Sequence, residues 1–442
     1  ALDGTANCFR AVAAAQACYE ILSAEEQAKV TNFALLQEKL AAYDAVVAAY
    51  IAELDALGEI TLESKATIET ARAHYNAYIE RGGEKARITN LALLASAEAD
   101  YALCVTADKE QKIEASMGTR TVDGKEFYEI SNAEQLTWFR MLVNGELAKK
   151  PQNTAANAVL VADITLNENL LSTIFDDAGT LLPDKLSEME RWKPIGRPYE
   201  IIYSGTFDGD GHVLSGLYTE AADNNDYTGM FGHVTGTIQN LTLRDTYSAG
   251  REAAPLAYLV EKTGVIDHCV AEGNAIARSY AGGLVNSLTN RAHMRNCYVM
   301  GTVSSKTRAG GLVVSNAGTI ENCYVNAQVL NAKKKGGIAV LVNSAAVFRN
   351  CFFPEAEGVN IYNLGGNQQA DVVENSASYT PEQLANGYVA GQLGAAFAQR
   401  VGVDPYPVFA EALPTAEITV ELERDNYAKH AEVIARVYLT GT

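Results

Sequence analysis

The chain has 442 residues, of which 48% are hydrophobic and 20% charged. This composition is typical of a globular protein with room for two or three domains, and it excludes a disordered chain, a collagen or a disulfide scaffold. The net charge of −19 makes generic binding to nucleic acid or to an anionic membrane unfavourable, because the long-range field repels polyanions.

Glycine usage divides the chain in two. Residues 1–118 are rich in alanine and contain only five glycines, whereas the residues after them are rich in Val, Thr, Asn, Tyr and Gly. A change from helix formers to strand and turn formers predicts a domain boundary near Gly118. We expect a helical spacer over 1–118, a β-helix over 119–410, and a β-strand tail or the start of a further domain over 411–442.

The first part is predicted to be a bundle of antiparallel helices. Apolar residues recur at helical spacing over 9–22, 25–57, 64–80 and 84–117. Gly58 and the Gly82-Gly83 pair interrupt this pattern and predict helix ends.

This helical part also repeats internally, with an offset of about 56 to 58 residues. Residues 15–19 correspond to 71–75, and 30–36 correspond to 88–94. The Ala-Arg-Ala-His-Tyr and Thr-Asn-x-x-x-Leu runs resemble the small three-helix repeats of Gram-positive surface proteins. This resemblance implies a spacer, and the incomplete first copy leads us to expect a piece of a longer chain.

The middle of the chain has a second, shorter period of 26 or 28 residues. It is marked by an Ile-x-Asn-Cys type motif that ends at Cys269, Cys297, Cys323 and Cys351, and by a Gly-Gly-Leu-Val type motif between these cysteines. A unit this small cannot bury its own apolar face, so stacked units are expected to form a solenoid. Alternation with period two makes that solenoid a parallel β-helix, in which equivalent residues form columns about 4.8 Å apart.

Three columns follow from this geometry. The four repeat cysteines are expected to point inward as free thiols, because parallel stacked side chains do not meet the geometry of a disulfide or of tetrahedral zinc. The residues before them form an amide ladder that His268 interrupts, and a catalytic histidine there is the alternative. The next column outward carries alternating charge, at Gln239, Asp267, Arg295, Glu321 and Arg349.

The cadence of Gly-Gly-Leu-Val followed by Ile-x-Asn-Cys resembles the GLUG-motif repeat family of bacterial surface proteins. The lead-in Ile130-Ser131-Asn132-Ala133-Glu134-Gln135-Leu136 and the later Thr380-Pro381-Glu382-Gln383-Leu384 strengthen the resemblance, which covers about 122–410. It implies an extracellular β-helix module at the bacterial cell surface. We expect both Glu-Gln-Leu helices to cover the open ends of the solenoid, where an uncovered end would promote aggregation. Alternation in 415–442 predicts a pair of strands.

No catalytic residue, metal site or cofactor is predicted. Some relatives in that family carry a zinc peptidase, but the chain has no His-Glu-x-x-His motif. Asp208 and Asp210 flank Gly209 in a predicted turn, with a calcium site or catalysis as alternatives. The rival class is a carbohydrate-active β-helix enzyme, which would require three or more acidic side chains converging in one groove. A non-catalytic region of a larger surface peptidase remains a further alternative.

Two candidate binding surfaces remain. The residues after the cysteines include Tyr298, Tyr324 and Phe352, whose stacked rings would either hold sugar rings or merely stiffen the sheet. Cations that precede the Gly-Gly motifs are expected to gather on one edge of the solenoid. They would either bind a glycan or an acidic partner, or form a solvated corner that protects the β edge from pairing. These cations are Arg278, Lys306, Arg308, Lys333, Lys334 and Lys335.

The sequence therefore predicts a non-enzymatic ectodomain of a bacterial cell-surface protein that acts in adhesion, in ligand presentation or as a structural stalk. A host or bacterial glycan or protein is the expected partner, with further domains of a longer chain. Nucleic-acid binding and membrane insertion by this segment are not expected.

Overall fold

The computed structural model describes residues 8–221, 228–363, 369–410, 417–422 and 435–440. The chain divides into two units, Ala1–Lys112 and Ile113–Thr442. Helices form the first unit, and the second is built on a parallel β-solenoid. The predicted fold class is therefore confirmed.

The helices before Gly118 are shorter than the sequence pattern predicts. Their bounds are α1 (Cys8–Glu20), α2 (Ala24–Gln27), α3 (Phe33–Asp55), α4 (Lys65–Glu80) and α5 (Ala92–Ala115). The predicted continuous helices over 25–57 and 84–117 are wrong, because each is interrupted just before or at a Thr-Asn pair. Asparagine is a weak helix former, so these pairs favour a break. Here Asn90 Nδ2 donates to Ile51 O at 2.8 Å and to Asp55 Oδ1 at 2.7 Å.

The core of the first unit is built from one face of α3. Tyr43, Val47, Tyr50 and Leu54 are spaced by four, three and four residues, which places all of them on the buried side of the helix. Tyr43 stacks on Phe9 with ring centroids 4.5 Å apart. This apolar stripe is the same one that the sequence pattern identified.

The helices that lie wholly within the second unit are α6 (Ala133–Asn144), α7 (Leu170–Ile174), α8 (Pro183–Glu188), α9 (Pro381–Ala385) and α10 (Tyr388–Leu393). Its first strands are β1 (Gly118–Val122), β2 (Lys125–Ile130), β3 (Asn157–Leu160), β4 (Ile164–Thr165), β5 (Thr206–Asp208), β6 (Val213–Ser215), β7 (Tyr218–Ala221), β8 (Phe231–Val234), β9 (Thr237–Gln239), β10 (Thr242–Ala253), β11 (Ala257–Val260), β12 (Val265–Asp267), β13 (Val270–Gly282) and β14 (Val285–Leu288).

The strands continue with β15 (His293–Arg295), β16 (Tyr298–Ser305), β17 (Arg308–Gly310), β18 (Val313–Asn316), β19 (Thr319–Leu330), β20 (Lys334–Gly336), β21 (Ala339–Val342), β22 (Val347–Pro354), β23 (Val372–Glu374), β24 (Ala377–Tyr379), β25 (Phe397–Ala398), β26 (Val408–Phe409), β27 (Glu417–Leu422) and β28 (Ala435–Thr440). The last two pair antiparallel, as the alternation in the tail predicts.

Each coil of the solenoid repeats the same three segments. A short strand comes first and is followed by a tight turn, which we call the asparagine corner. A longer strand follows this corner, and a third strand then joins the separate sheet β8-β11-β14-β18-β21. The pairing is parallel and in register, so that Ile238, Ile266, Met294, Ile320 and Phe348 form one fully buried column. Alternation turns the neighbours of these residues outward.

The corner before each longer strand requires a left-handed backbone. Asn296, Asn322 and Asn350 have φ of 53°, 50° and 49°, in the region where asparagine is tolerated better than most side chains. Their amides form the predicted ladder: Asn322 Nδ2 donates to Asn296 Oδ1 at 3.3 Å, and Asn350 Nδ2 donates to Asn322 Oδ1 at 2.8 Å. His268, with φ of 50°, occupies the same corner one coil earlier.

The Gly-Gly motifs mark the other tight corner. A Cβ on Gly283 would lie 2.0 Å from the carbonyl oxygen of Gly311, and a Cβ on Gly311 would lie 2.0 Å from that of Gly337. No side chain fits at this spacing, so the second glycine of each pair is needed for successive coils to stack.

The two ends of the solenoid are closed differently. Helix α6 covers the N-terminal end as predicted. Asn132 caps this helix, since its Oδ1 accepts a hydrogen bond from Gln135 N at 3.0 Å. Phe139 of the helix packs against Phe207 of the coils, with ring centroids 6.0 Å apart. The prediction that the second Glu-Gln-Leu helix covers the other end is wrong. Residues 359–362 pack there instead, and Tyr362 stacks on Phe348 with centroids 6.0 Å apart.

The asparagine ladder gives a stability test. Asn322→Ala removes two hydrogen bonds of the ladder and leaves a residue with a Cβ strained at positive φ. Asn322→Gly removes the same two hydrogen bonds, but glycine adopts positive φ without strain. We expect alanine to destabilise the protein by about 1–2 kcal/mol more than glycine does. Urea unfolding followed by circular dichroism measures this difference. Equal destabilisation by both would show that the corner carries no conformational constraint.

Candidate functional site

The predicted aromatic column exists, but its rings are covered. Tyr298 stacks on Tyr324 with centroids 4.9 Å apart, and Phe352 continues the column on the next coil. All three side chains are buried, since they are at most 7% exposed. The prediction of an exposed platform for sugar rings is therefore wrong for Tyr324 and Phe352, while Tyr298 borders a cleft described below.

The cover is the chain's own C-terminal segment, residues 377–409. Leu384, Val389, Leu393 and Phe397 from this segment share one apolar cluster with the column. Tyr324 donates a hydrogen bond to Pro407 O at 2.5 Å. The column therefore serves as the docking face for the segment that follows the last coil.

The six predicted cations lie in corresponding parts of three adjacent coils. Arg308 is in register with Lys334 on the next coil, and Arg278 and Lys306 follow the paired positions Ala277 and Ser305. Arg308 is half-buried, since its guanidinium lies over the ring of Tyr280 and donates to the Tyr280 hydroxyl at 2.9 Å.

None of the six cations forms an ion pair with a carboxylate in the part of the chain that the structure describes. Arg278, Lys306, Lys333 and Lys334 are exposed. We refer to the six residues 278, 306, 308 and 333–335 as the basic edge.

The predicted column of outward charges is confirmed. Arg295 Nε donates to Asp267 Oδ2 at 2.8 Å, and Glu321 and Arg349 continue the same register. The repeat cysteines are free and fully buried. Burial raises the pKa of the Cys351 thiol to about 12, which keeps it protonated and unreactive.

Asp267 is the most strongly held carboxylate of the charged column. It accepts hydrogen bonds from His268 Nδ1 at 2.7 Å, Asn296 Nδ2 at 2.8 Å and Arg295 Nε at 2.8 Å. Burial on its own would raise the pKa of Asp267, but these three hydrogen bonds outweigh it and lower that pKa to about 2. His268 is thus tied into the corner ladder as a partner of Asp267.

The aspartates of the lead-in form a turn. Asp208 Oδ1 accepts from Asp210 N at 2.9 Å and from Asn240 Nδ2 at 2.9 Å, and Asp210 has φ of 49°. These contacts match the predicted turn. Across the described ranges, no group of three or more His, Cys, Asp or Glu side chains is arranged to hold a metal ion.

A cleft of about 710 Å³ lies beside this corner. Its floor includes Val213, Thr242 and Tyr298, which belong to one register column that runs across four coils. Tyr406 and Phe409 from the C-terminal segment line it as well. The cleft therefore lies where the outer face of the solenoid meets the segment that covers the aromatic column.

The acidic and basic side chains that line the cleft are Asp210, Arg244, His268 and Glu272, and Asn240 and Thr242 add neutral polar groups. Arg244 Nε donates to Glu272 Oε2 at 2.9 Å, and Arg120 donates to Asp210 Oδ2 at 2.9 Å. Asp210 and Glu272 are the carboxylates among the described residues that line the cleft.

Sequence reasoning missed this cleft. One signal was present, because Arg244 and Glu272 both lie three residues after equivalent positions, Leu241 and Cys269. Stacking then places opposite charges on neighbouring coils. The contribution of Tyr406 and Phe409 had no such signal, since it depends on where the C-terminal segment docks.

No family model matches this chain. A 100-residue stretch, 22% of the chain, is 29% identical to halomucin of Haloquadratum walsbyi, and the match amounts to 1% of halomucin's length. Among solved structures, a candidate immunoglobulin A1 protease of Bacteroides ovatus aligns with a TM-score of 0.46 and 21% identity, over 66% of this chain and 94% of the other. Within the described residues, no helix has the length and apolarity needed to cross a membrane.

The hydrogen bonds of Asp267 give a pH-dependence test. The pKa of Asp267 in the folded protein, about 2, lies below its ordinary value of 3.8, so the resulting stability is present above about pH 4 and is lost as pH falls towards 2. Asp267→Asn should lower the free energy of unfolding by about 2 kcal/mol at neutral pH, and the difference from wild type should shrink in acid. The exposed Asp177→Asn is the control. A difference that stays constant from neutral pH to about pH 2 would contradict this account.

Docking of the C-terminal segment is tested by a core truncation. Leu393 is fully buried against the aromatic column, so Leu393→Ala should weaken docking by about 2–5 kcal/mol. We expect faster hydrogen exchange in 377–409, measured by mass spectrometry, while the coils before them keep their protection. Val401→Ala, at a side chain that is 60% exposed in the same segment, is the control. Unchanged exchange in the Leu393 variant would show that docking does not depend on this contact.

Proposed function

We propose that the chain is an ectodomain region of a bacterial surface protein and binds an acidic glycan, sulfated or sialylated, through its basic edge. The observation that carries this proposal is the stacking of six cations on three adjacent coils, without ion pairs to described carboxylates, in a chain of net charge −19. Regularly spaced cations on a rigid scaffold suit a ligand with repeating negative charge.

The GLUG-like cadence and the helical repeats support the placement at the cell surface, because both resemble modules of bacterial surface proteins. The solenoid supports a role in presentation. Arg308 and Lys334 lie on strands that pair with each other, so the spacing between their backbones changes little when a ligand binds.

We further propose that the chain acts by binding and not by catalysis. The carboxylates that line the cleft, Asp210 and Glu272, each contact an arginine. A carboxylate held by an arginine is poorly suited to donate a proton as a general acid, and glycoside hydrolysis requires such a donor.

The basic edge is tested on a glycan array that carries sulfated, sialylated and neutral glycans. Wild type should bind the acidic glycans, and binding should weaken as salt is raised. A variant with Lys333, Lys334 and Lys335 all changed to Glu should lose this binding. Lys85, Lys125 and Lys193 are exposed lysines that do not belong to the basic edge. The variant in which these three are changed to Glu is charge-matched and should bind as wild type does.

Equal binding by wild type and the basic-edge variant, or no acidic glycan bound by wild type, would contradict the proposed ligand. The same array tests whether the chain is a catalyst. The glycans are released after contact with the protein and their masses are measured by mass spectrometry; we expect the original masses. Shortened fragments would show that the chain is an enzyme.

A further inference from the structure

The cleft beside the Asn240 and His268 corners is separate from the basic edge and has the dimensions of a ligand site. Its floor column, from Val213 to Tyr298, spans three coil spacings, which is about 14 Å. With a volume of about 710 Å³, it lies within the usual range for small-molecule sites. This length suits a short chain of linked rings better than a single small metabolite.

The charges of the cleft are already balanced by the protein. Arg244 pairs with Glu272 and Asp210 with Arg120, and His268 Nδ1 is hydrogen-bonded to Asp267 Oδ1. A charged ligand would have to displace one of these partners. Paired charges still present donor hydrogens and acceptor lone pairs at their edges, which suits a ligand rich in hydroxyl groups that carries no charge of its own.

Tyr298 contributes a hydroxyl that has no hydrogen-bond partner among the residues that the structure describes. The hydroxyls of Tyr324 and Tyr379, beneath the same C-terminal segment, donate to backbone carbonyls at 2.5 and 2.7 Å. The Tyr298 hydroxyl makes no hydrogen bond with any residue that the structure describes, although the residue is only 7% exposed and lines the cleft. This hydroxyl therefore opens onto the cleft, where a ligand hydroxyl can hydrogen-bond to it in place of water.

Part of the cleft surface is apolar. Phe409 lies 5.5 Å from Tyr298 and 5.3 Å from the His268 ring, measured between centroids, and Val213 and Val408 complete it. A pyranose has C–H faces that pack on apolar and aromatic side chains and a rim of hydroxyls that meets polar ones. The cleft offers both surfaces within one concave site.

We propose that this cleft binds an uncharged oligosaccharide, with Tyr298, Arg244 and Glu272 hydrogen-bonded to its hydroxyls and with Phe409 packed against a sugar face. This is a second carbohydrate site, independent of the acidic glycan proposed for the basic edge.

The test titrates the full chain with neutral tetrasaccharides built from glucose, mannose, galactose or N-acetylglucosamine units, and follows binding by ligand-detected NMR and calorimetry. At least one should bind wild type. Tyr298→Phe removes only the hydroxyl and should weaken that binding by about fivefold, the equivalent of one hydrogen bond. Glu272→Gln should weaken it by about tenfold or more, because it removes a charged acceptor.

Two controls separate this site from the basic edge. Tyr280→Phe removes a tyrosine hydroxyl that contacts Arg308, and the variant with Lys333, Lys334 and Lys335 changed to Glu alters the basic edge; both should bind the tetrasaccharide as wild type does. Circular dichroism confirms that every variant is folded. The proposal is overturned if no tetrasaccharide binds wild type at about 5 mM, or if folded Tyr298→Phe and Glu272→Gln bind with wild-type affinity.

Discussion

The parallel backbone pairing between successive coils is the constraint on which the second unit depends. Each coil must follow its neighbour at one strand spacing, so every position in the repeat meets its own equivalent above and below. A residue is therefore selected for how it packs against copies of itself. Ile266 and Met294 stack as apolar side chains, Asn322 and Asn350 satisfy each other's amides, and Gly283 leaves room for the carbonyl of Gly311.

Columns that point outward obey the same rule with a different outcome. Charges on neighbouring coils alternate in sign where Asp267 and Arg295 meet, and they remain of one sign at the basic edge. Alternation stabilises the sheet through contacts between coils. A column of one sign contributes no such stability, so its presence on a rigid surface is better explained by an external partner or by protection of the edge.

The C-terminal segment changes the chemistry of the surface on which it docks. It buries Tyr324 and Phe352, which would otherwise form an exposed apolar strip, and its own Tyr406 and Phe409 border the cleft that Tyr298 shares. The aromatic column thus has two roles along its length. Toward the last coil it is a packing face, and toward the first coils it is part of a concave surface that presents both polar and apolar groups.

Elements whose cause is local or repeated could be derived from the amino-acid pattern. The period of the cysteines specified the solenoid and its register, and the glycine and asparagine positions specified its corners, because each coil meets only its neighbours. The docking site of 377–409 could not be derived in this way. It depends on contacts between residues far apart in the chain, such as Tyr324 with Pro407, that occur once and leave no period. The cover over the aromatic rings, the residues that close the C-terminal end and the cleft were therefore decided by the tertiary structure.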